Sequence, residues 1–171
     1  MERFILDTIA KSTNIVFNNF AIALHLLGTA GIAFVVLGLI LIIKKETRPM
    51  GFHIILSLIL CLVFGNIILK PSLARTRPFI KYKKPILISP PKDYSFPSGH
   101  TYASFATAFS IRSYNKSFSN FMLILASLFA FSRLYLYVHY PTDILGGIVL
   151  GYICSKLSEK IIKKFFSKKS F

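Results

Sequence analysis

Three stretches of this chain, residues 20–43, 51–69 and 120–138, are each long and apolar enough to cross about 30 Å of hydrocarbon. No water is present inside a bilayer to satisfy backbone N–H and C=O groups, so spans of this length must be helices that close their own hydrogen bonds. Composition agrees: the 171 residues are 54% hydrophobic with a mean hydropathy of +0.61, beyond what the core of a soluble domain of this size needs. Two weaker stretches, 101–111 and 144–157, complete the pattern. The first is short, so it must tilt, snorkel at Arg112 or be buried among its neighbours. The expected fold is all-α: a polytopic membrane helical bundle of about five transmembrane helices, forming one domain over residues 1–171 with no linkers or repeats.

The ends read differently. In residues 1–19, Phe4, Ile5, Ile9, Val16 and Phe17 recur at helical spacing between Glu2, Asp7, Lys11 and Asn14, which suits an N-terminal interfacial amphipathic helix. A sixth, weakly hydrophobic span is the alternative. The cationic start, unbroken apolar stretch and small-residue cleavage site of a signal peptide are not evident. Residues 156–171 form a basic tail. Anionic lipid headgroups account for the formal charge of +15; no nucleic-acid partner is expected, because no soluble module is left to bind one.

Seven polar residues stand among or beside the apolar runs: Lys70, Arg77, Ser98, His100, Arg133, His139 and Asp143. Ionisable groups at such depths are expensive and usually functional. A phosphate ester explains the mixture, since a phosphoryl group in a partly dehydrated site needs cations to match the charge that develops in the transition state. Lys70, Arg77 and Arg133 are of that type. A histidine nucleophile also needs an orienting carboxylate, and a second histidine can protonate the departing oxygen. His139, Asp143 and His100 fit those roles.

Helix parity brings these residues to one membrane face. Lys70 ends one run and His100 opens the next; the two runs after it form a hairpin that returns the chain at His139, just before Asp143. The opposite face then holds eleven Lys and Arg residues against nine, a preference for an extracytoplasmic site by the positive-inside rule.

Three boxes now stand in order: Lys70 to Arg77-Pro78 fits K-x6-R-P, Pro97-Ser98-Gly99-His100 is PSGH, and Ser132-Arg133 through His139 to Asp143 fits S-R-x5-H-x3-D. The chain resembles the type 2 phosphatidic acid phosphatase superfamily, on its integral-membrane bacterial lipid phosphatase branch. The resemblance implies that His139 attacks phosphorus to give a phosphohistidine and that Asp143 holds its ring. It also implies that His100 protonates the leaving oxygen and then activates water, while Lys70, Arg77, Ser98, the Gly99 amide and Arg133 cradle the phosphate. The implied substrate is a phospholipid or polyprenyl (di)phosphate. Undecaprenyl diphosphate is the first choice and phosphatidylglycerophosphate or phosphatidate the second.

Local chemistry suits these spacings. Ser98-Gly99 precedes an apolar helix, whose N-terminal amides can face an anion while glycine lets the backbone approach closely. Pro141 disfavours helix at Tyr140 and opens a new one, so His139 should end one element and Asp143 start the next. Duller readings stand beside these. Lys70 and Arg133 can snorkel from helix ends; His25 and His53, lacking motif partners, read as structural; Gly147 and Gly151 read as helix packing. Cys61 and Cys154 read as core thiols.

The catalytic loops hold only Asp93 and Asp143 as carboxylates, too few for a two-metal phosphatase, so no metal or other cofactor is expected. The loop Lys81-Tyr82-Lys83-Lys84 with Lys92 is a lipid-surface patch or a grip for a second phosphate. Two other classes remain: a lipid phosphotransferase using the same histidine, and a non-catalytic lipid-binding protein. A haloperoxidase relative is disfavoured by the continuous apolar runs.

Overall fold

The computed structural model describes residues 1–11 and 13–167, less the side chains of residues 30 and 165–167; the end of the basic tail, with Lys168 and Lys169, lies outside the described residues. Among the described residues the regular structure is all helical, interrupted by turns and by one long irregular connection over residues 82–98: α1 (Glu2–Lys11), α2 (Ile15–Gly28), a short 3-10 turn (Thr29–Gly31), α3 (Ile32–Ile43) and α4 (Arg48–Cys61). A π-helical segment (Leu62–Leu69) follows, then the single turns α5 (Lys70–Leu73) and α6 (Pro78–Lys81), α7 (Gly99–Arg112), α8 (Lys116–Tyr135) and α9 (Pro141–Ser167).

Local sequence sets these boundaries. The Asn14 and Asn115 side chains each accept a hydrogen bond at 2.9 Å from the amide three residues on, capping α2 and α8. Pro49 and Pro141 stand in the first turns of α4 and α9, where a missing N–H costs nothing.

The pattern is that of a membrane bundle, with bulky apolar residues outside and small polar ones within. Leu26, Ile40, Ile43, Ile67, Ile124 and Leu145 are exposed, whereas Thr101, Ser104, Thr107 and Ser110 of α7 are fully buried. Small residues let helices approach where no hydrophobic effect drives them together. A seam of serines joins α4, α7 and α9: Ser57 Oγ lies 2.9 Å from Ser110 Oγ and 3.0 Å from Ser158 Oγ. His53 Nε2 sits 2.8 Å from the Ser155 carbonyl in the same seam, in keeping with its structural reading. Cys61 and Cys154 are buried free thiols.

Two expectations need correction, and a third, the number of spans, is met only in part. The run 20–43 is not one straight span: it breaks at the Thr29–Gly31 turn, where Gly31 adopts a φ of +69°, and α2 and α3 meet at a 52° bend. Residues 1–19 are not one helix either, because α1 ends at Lys11 and Asn14 caps a new helix that continues into the first apolar run. Among the described residues, two helices are long and apolar enough to cross a membrane, or three if the bent pair counts as one span. Helix α7 falls short at fourteen residues; it is the central element, with ten of them buried.

Candidate active site

All eight expected site residues gather at one end of the bundle. Lys70, Arg77, Gly99, His100, Arg133 and His139 line a cavity of about 420 Å³, and Ser98 and Asp143 stand directly behind them. Its other walls include Val35, Ile55, Leu58, Ile59 and Leu62, so a cationic end opens into an apolar slot.

His139 sits in the connection between α8 and α9, where Tyr137 takes a positive φ of 59° and turns the chain. Its Nδ1 lies 3.4 Å from Asp143 Oδ2. An ionised carboxylate only accepts, so Nδ1 carries the proton and Nε2 keeps its lone pair. Nε2 accepts from Arg77 Nη1 at 3.1 Å, which places this nitrogen at the guanidinium edge and in the cavity. Asp143 is fully buried; its carbonyl accepts from the Ser98 amide at 3.1 Å, tying the PSGH box to the start of α9.

Arg77 is held by both flanking loops. Its Nε donates to the Asp93 carbonyl at 2.9 Å, Nη1 to the Val138 carbonyl at 2.9 Å, and Nη2 to Asp93 Oδ1 at 2.7 Å. Lys70 pairs with the other Asp93 oxygen. Burial raises the Asp93 carboxyl, but Lys70 and Arg77 outweigh it and hold the group down at about 2. Arg133, 1% exposed, explains why serine precedes it: Ser132 Oγ accepts from both Nε (3.1 Å) and Nη2 (2.9 Å). This is an anchored guanidinium and not a snorkelling one.

His100 opens α7, whose first amides have no intrahelical acceptor. Its Nε2 donates to the His25 carbonyl at 3.2 Å, and the two rings stack with centroids 5.5 Å apart. His25 Nδ1 in turn lies 3.0 Å from Arg133 Nη1. The sequence reading of His25 as merely structural is therefore incomplete: it lines the cavity and joins His100 to Arg133. No motif marks it, and only the end of α2 brings it there. Asn66 and Tyr102, whose hydroxyl donates to Asn66 Oδ1 at 2.9 Å, also line the cavity unforeseen. Among the described residues, no group of three or more His, Cys, Asp and Glu side chains is arranged to hold a metal ion.

With this geometry in view, the chain matches the PAP2 superfamily model over residues 49–167, which covers all three boxes. The chain belongs to the PAP2 superfamily. It is 34% identical over 124 residues to the undecaprenyl-diphosphatase of Sulfolobus acidocaldarius, covering 71% of this chain and 60% of that relative. It is 34% identical over 128 residues to the lipid A 4'-phosphatase of Porphyromonas gingivalis, covering 69% and 54%. This chain thus spans between half and two thirds of the length of these curated relatives. The fold is shared with the transmembrane PAP2-type phosphatidylglycerolphosphate phosphatase of Bacillus subtilis, at a TM-score of 0.78 and 23% identity, covering 95% of this chain and 85% of that one. An all-α, polytopic integral-membrane bundle follows from the apolar exterior and this match together.

Proposed function

We propose that the chain is a metal-independent membrane lipid phosphatase working through a phosphohistidine, with undecaprenyl diphosphate as substrate and undecaprenyl phosphate as product. One observation carries the reading: His139 is oriented by Asp143 on one nitrogen and faces Arg77 with the other, in a cavity that runs from cations to an apolar slot. The cations suit the diphosphate and the slot suits a lipid tail. The relatedness to the Sulfolobus undecaprenyl-diphosphatase supports that choice of lipid.

The placements support the following chemistry. The Nε2 lone pair of His139 attacks the terminal phosphorus, and a P–N bond forms as the P–O bond to the lipid phosphate breaks. Lys70, Arg77, Arg133 and the Gly99 amide take up the negative charge on the equatorial oxygens, and Ser98, whose Oγ accepts from Thr101 Oγ1 at 2.9 Å, holds the start of α7 behind them. His100 gives its proton to the leaving oxygen. In the second half a water loses a proton to His100 and attacks phosphorus, the P–N bond breaks, and phosphate leaves with His139 restored. Asp143 holds the imidazolium that forms at each stage.

The membrane topology that goes with this reading has about five spans, with α7 and α9 counted although each fails a simple length and hydropathy rule. The cavity faces the extracytoplasmic side of the cell membrane, as the excess of cations on the other face favours. Residues 1–171 act as one domain. Purified protein in detergent, offered undecaprenyl diphosphate, phosphatidylglycerophosphate, phosphatidate and lipid A under a strong chelator, tests the proposal by phosphate release. The highest kcat/KM falls on undecaprenyl diphosphate; a preference for another lipid replaces the substrate, and labelled phosphate appearing on an alcohol acceptor replaces hydrolysis with transfer.

A further inference from the structure

Asp143 has one imidazole to orient, yet its carboxylate receives three other donors. Oδ1 accepts from Arg75 Nη1 at 2.5 Å, while Oδ2 accepts from Ser95 Oγ at 2.5 Å and from the Tyr140 amide at 2.8 Å. Arg75 lies outside the cavity lining, unlike Lys70 and Arg77. It bridges two acids: Nη2 is 2.8 Å from Glu2 Oε2, and its guanidinium lies 4.0 Å over the Tyr140 ring. Thr142 closes the loop, since its Oγ1 accepts from Arg75 Nη1 at 2.7 Å and donates to Glu2 Oε1 at 2.6 Å. The Arg75 carbonyl also accepts from the Ser95 amide at 2.8 Å.

We propose that Arg75, held by Glu2 of the N-terminal helix, is a positioning residue that aims the Asp143 carboxylate at His139 without touching substrate. The inference rests on the reading of His139 as the nucleophile. The geometry gives the reason. Oδ2 serves three donors and reaches His139 only at 3.4 Å, so the direction of that contact depends on the plane of the carboxylate. Arg75 on Oδ1 fixes that plane, because a charge-assisted bond to a guanidinium is directional as well as strong. Glu2 and Thr142 in turn prevent the arginine from turning away. Helix α1 is firmly seated beside it, with Leu6 fully buried against Tyr137 and Tyr140 and with Asp7 Oδ1 accepting from Tyr137 Oη at 2.8 Å. The N-terminal helix therefore belongs to the catalytic machinery as well as to the membrane-facing surface.

The test uses the full chain in detergent with the fastest of the four lipids above, and compares wild type, Arg75→Ala, Arg75→Lys, Glu2→Gln, the Glu2→Gln/Arg75→Ala double variant and His139→Ala. Kinetics, thermal unfolding and the response to millimolar guanidinium are measured. Arg75→Ala lowers kcat about 10- to 100-fold with KM nearly unchanged, because the defect lies in alignment and not in binding. Arg75→Lys recovers part of the loss, and Glu2→Gln gives a smaller loss that adds nothing in the Arg75→Ala background. Guanidinium restores Arg75→Ala and leaves His139→Ala inactive. Unchanged kcat in Arg75→Ala beside inactive His139→Ala overturns the inference alone, as does a loss that follows the unfolding temperature and ignores guanidinium. Normal turnover by His139→Ala overturns the underlying reading instead.

Discussion

Asp93 is half-exposed, yet it pairs with two of the most deeply buried cations in the site, Lys70 and Arg77. A substrate phosphate that uses the same two cations must compete with this carboxylate. Asp93→Asn therefore lowers KM, by up to about fivefold given the modest worth of a partly exposed pair. A steady-state comparison checks the sign, and a raised KM would mean that Asp93 shapes the cradle for substrate. Its carboxyl is held at about 2, below the ordinary carboxylate range, so the pairing is fully present above that range and is lost only as pH falls through the depressed value. Near neutrality pH gives no relief from the competition. His100→Ala costs about 10²- to 10⁴-fold in kcat by loss of general acid catalysis, read from initial rates. The gathering of the eight motif residues at one end was legible in the sequence, because three ordered boxes and helix parity bring them to one face. Arg75, His25 and Ser95 were not, since their roles come from contacts across 68, 108 and 48 positions.

Helix geometry is where the sequence was least explicit. Hydropathy measures how apolar a run is and does not register a bend, so 20–43 reads as one span although Gly28 precedes a turn that Gly31 ends. That turn matters to the site: a Cβ on Gly28 would stand 2.5 Å from His100 Cδ2 and 2.9 Å from Phe129 Cε1. Gly28→Ala displaces the His100 ring and lowers kcat about tenfold, seen in turnover measurements on folded protein. Gly147 and Gly151 do serve helix packing, as their spacing suggested. A Cβ on Gly151 would meet backbone atoms of Ala106 and Tyr102, each at 2.9 Å, and α7 would have to part from α9. Gly151→Ala destabilises the bundle by about 1–3 kcal/mol, measured by thermal unfolding in detergent. The short run 101–111 fits for the same reason, because small and hydroxylated side chains bury α7 against its neighbours α4, α8 and α9.

Over the whole molecule, two sets of constraints meet at one end of the bundle. The apolar exterior fixes the protein in a bilayer, and the interior collects Lys70, Arg77, Arg133, His100 and His139 around a single cavity. Three ordered boxes announce the second set in the sequence. How α1 and the end of α2 close over them was far less legible, since neither carries a motif. The scarcity of carboxylates in the catalytic loops leads to an expectation for the whole enzyme, namely that activity persists under a strong chelator; loss of activity and its return with a divalent cation would reveal a metal requirement. The most direct measurement of the chemistry is to mix enzyme with lipid carrying a labelled terminal phosphate, quench within a single turnover and map the label by peptide mass spectrometry. An acid-labile phosphoryl group on His139, absent in His139→Ala, is the expected result. Label on another side chain, or a single turnover with no covalent intermediate and inversion at phosphorus, would contradict a histidine nucleophile.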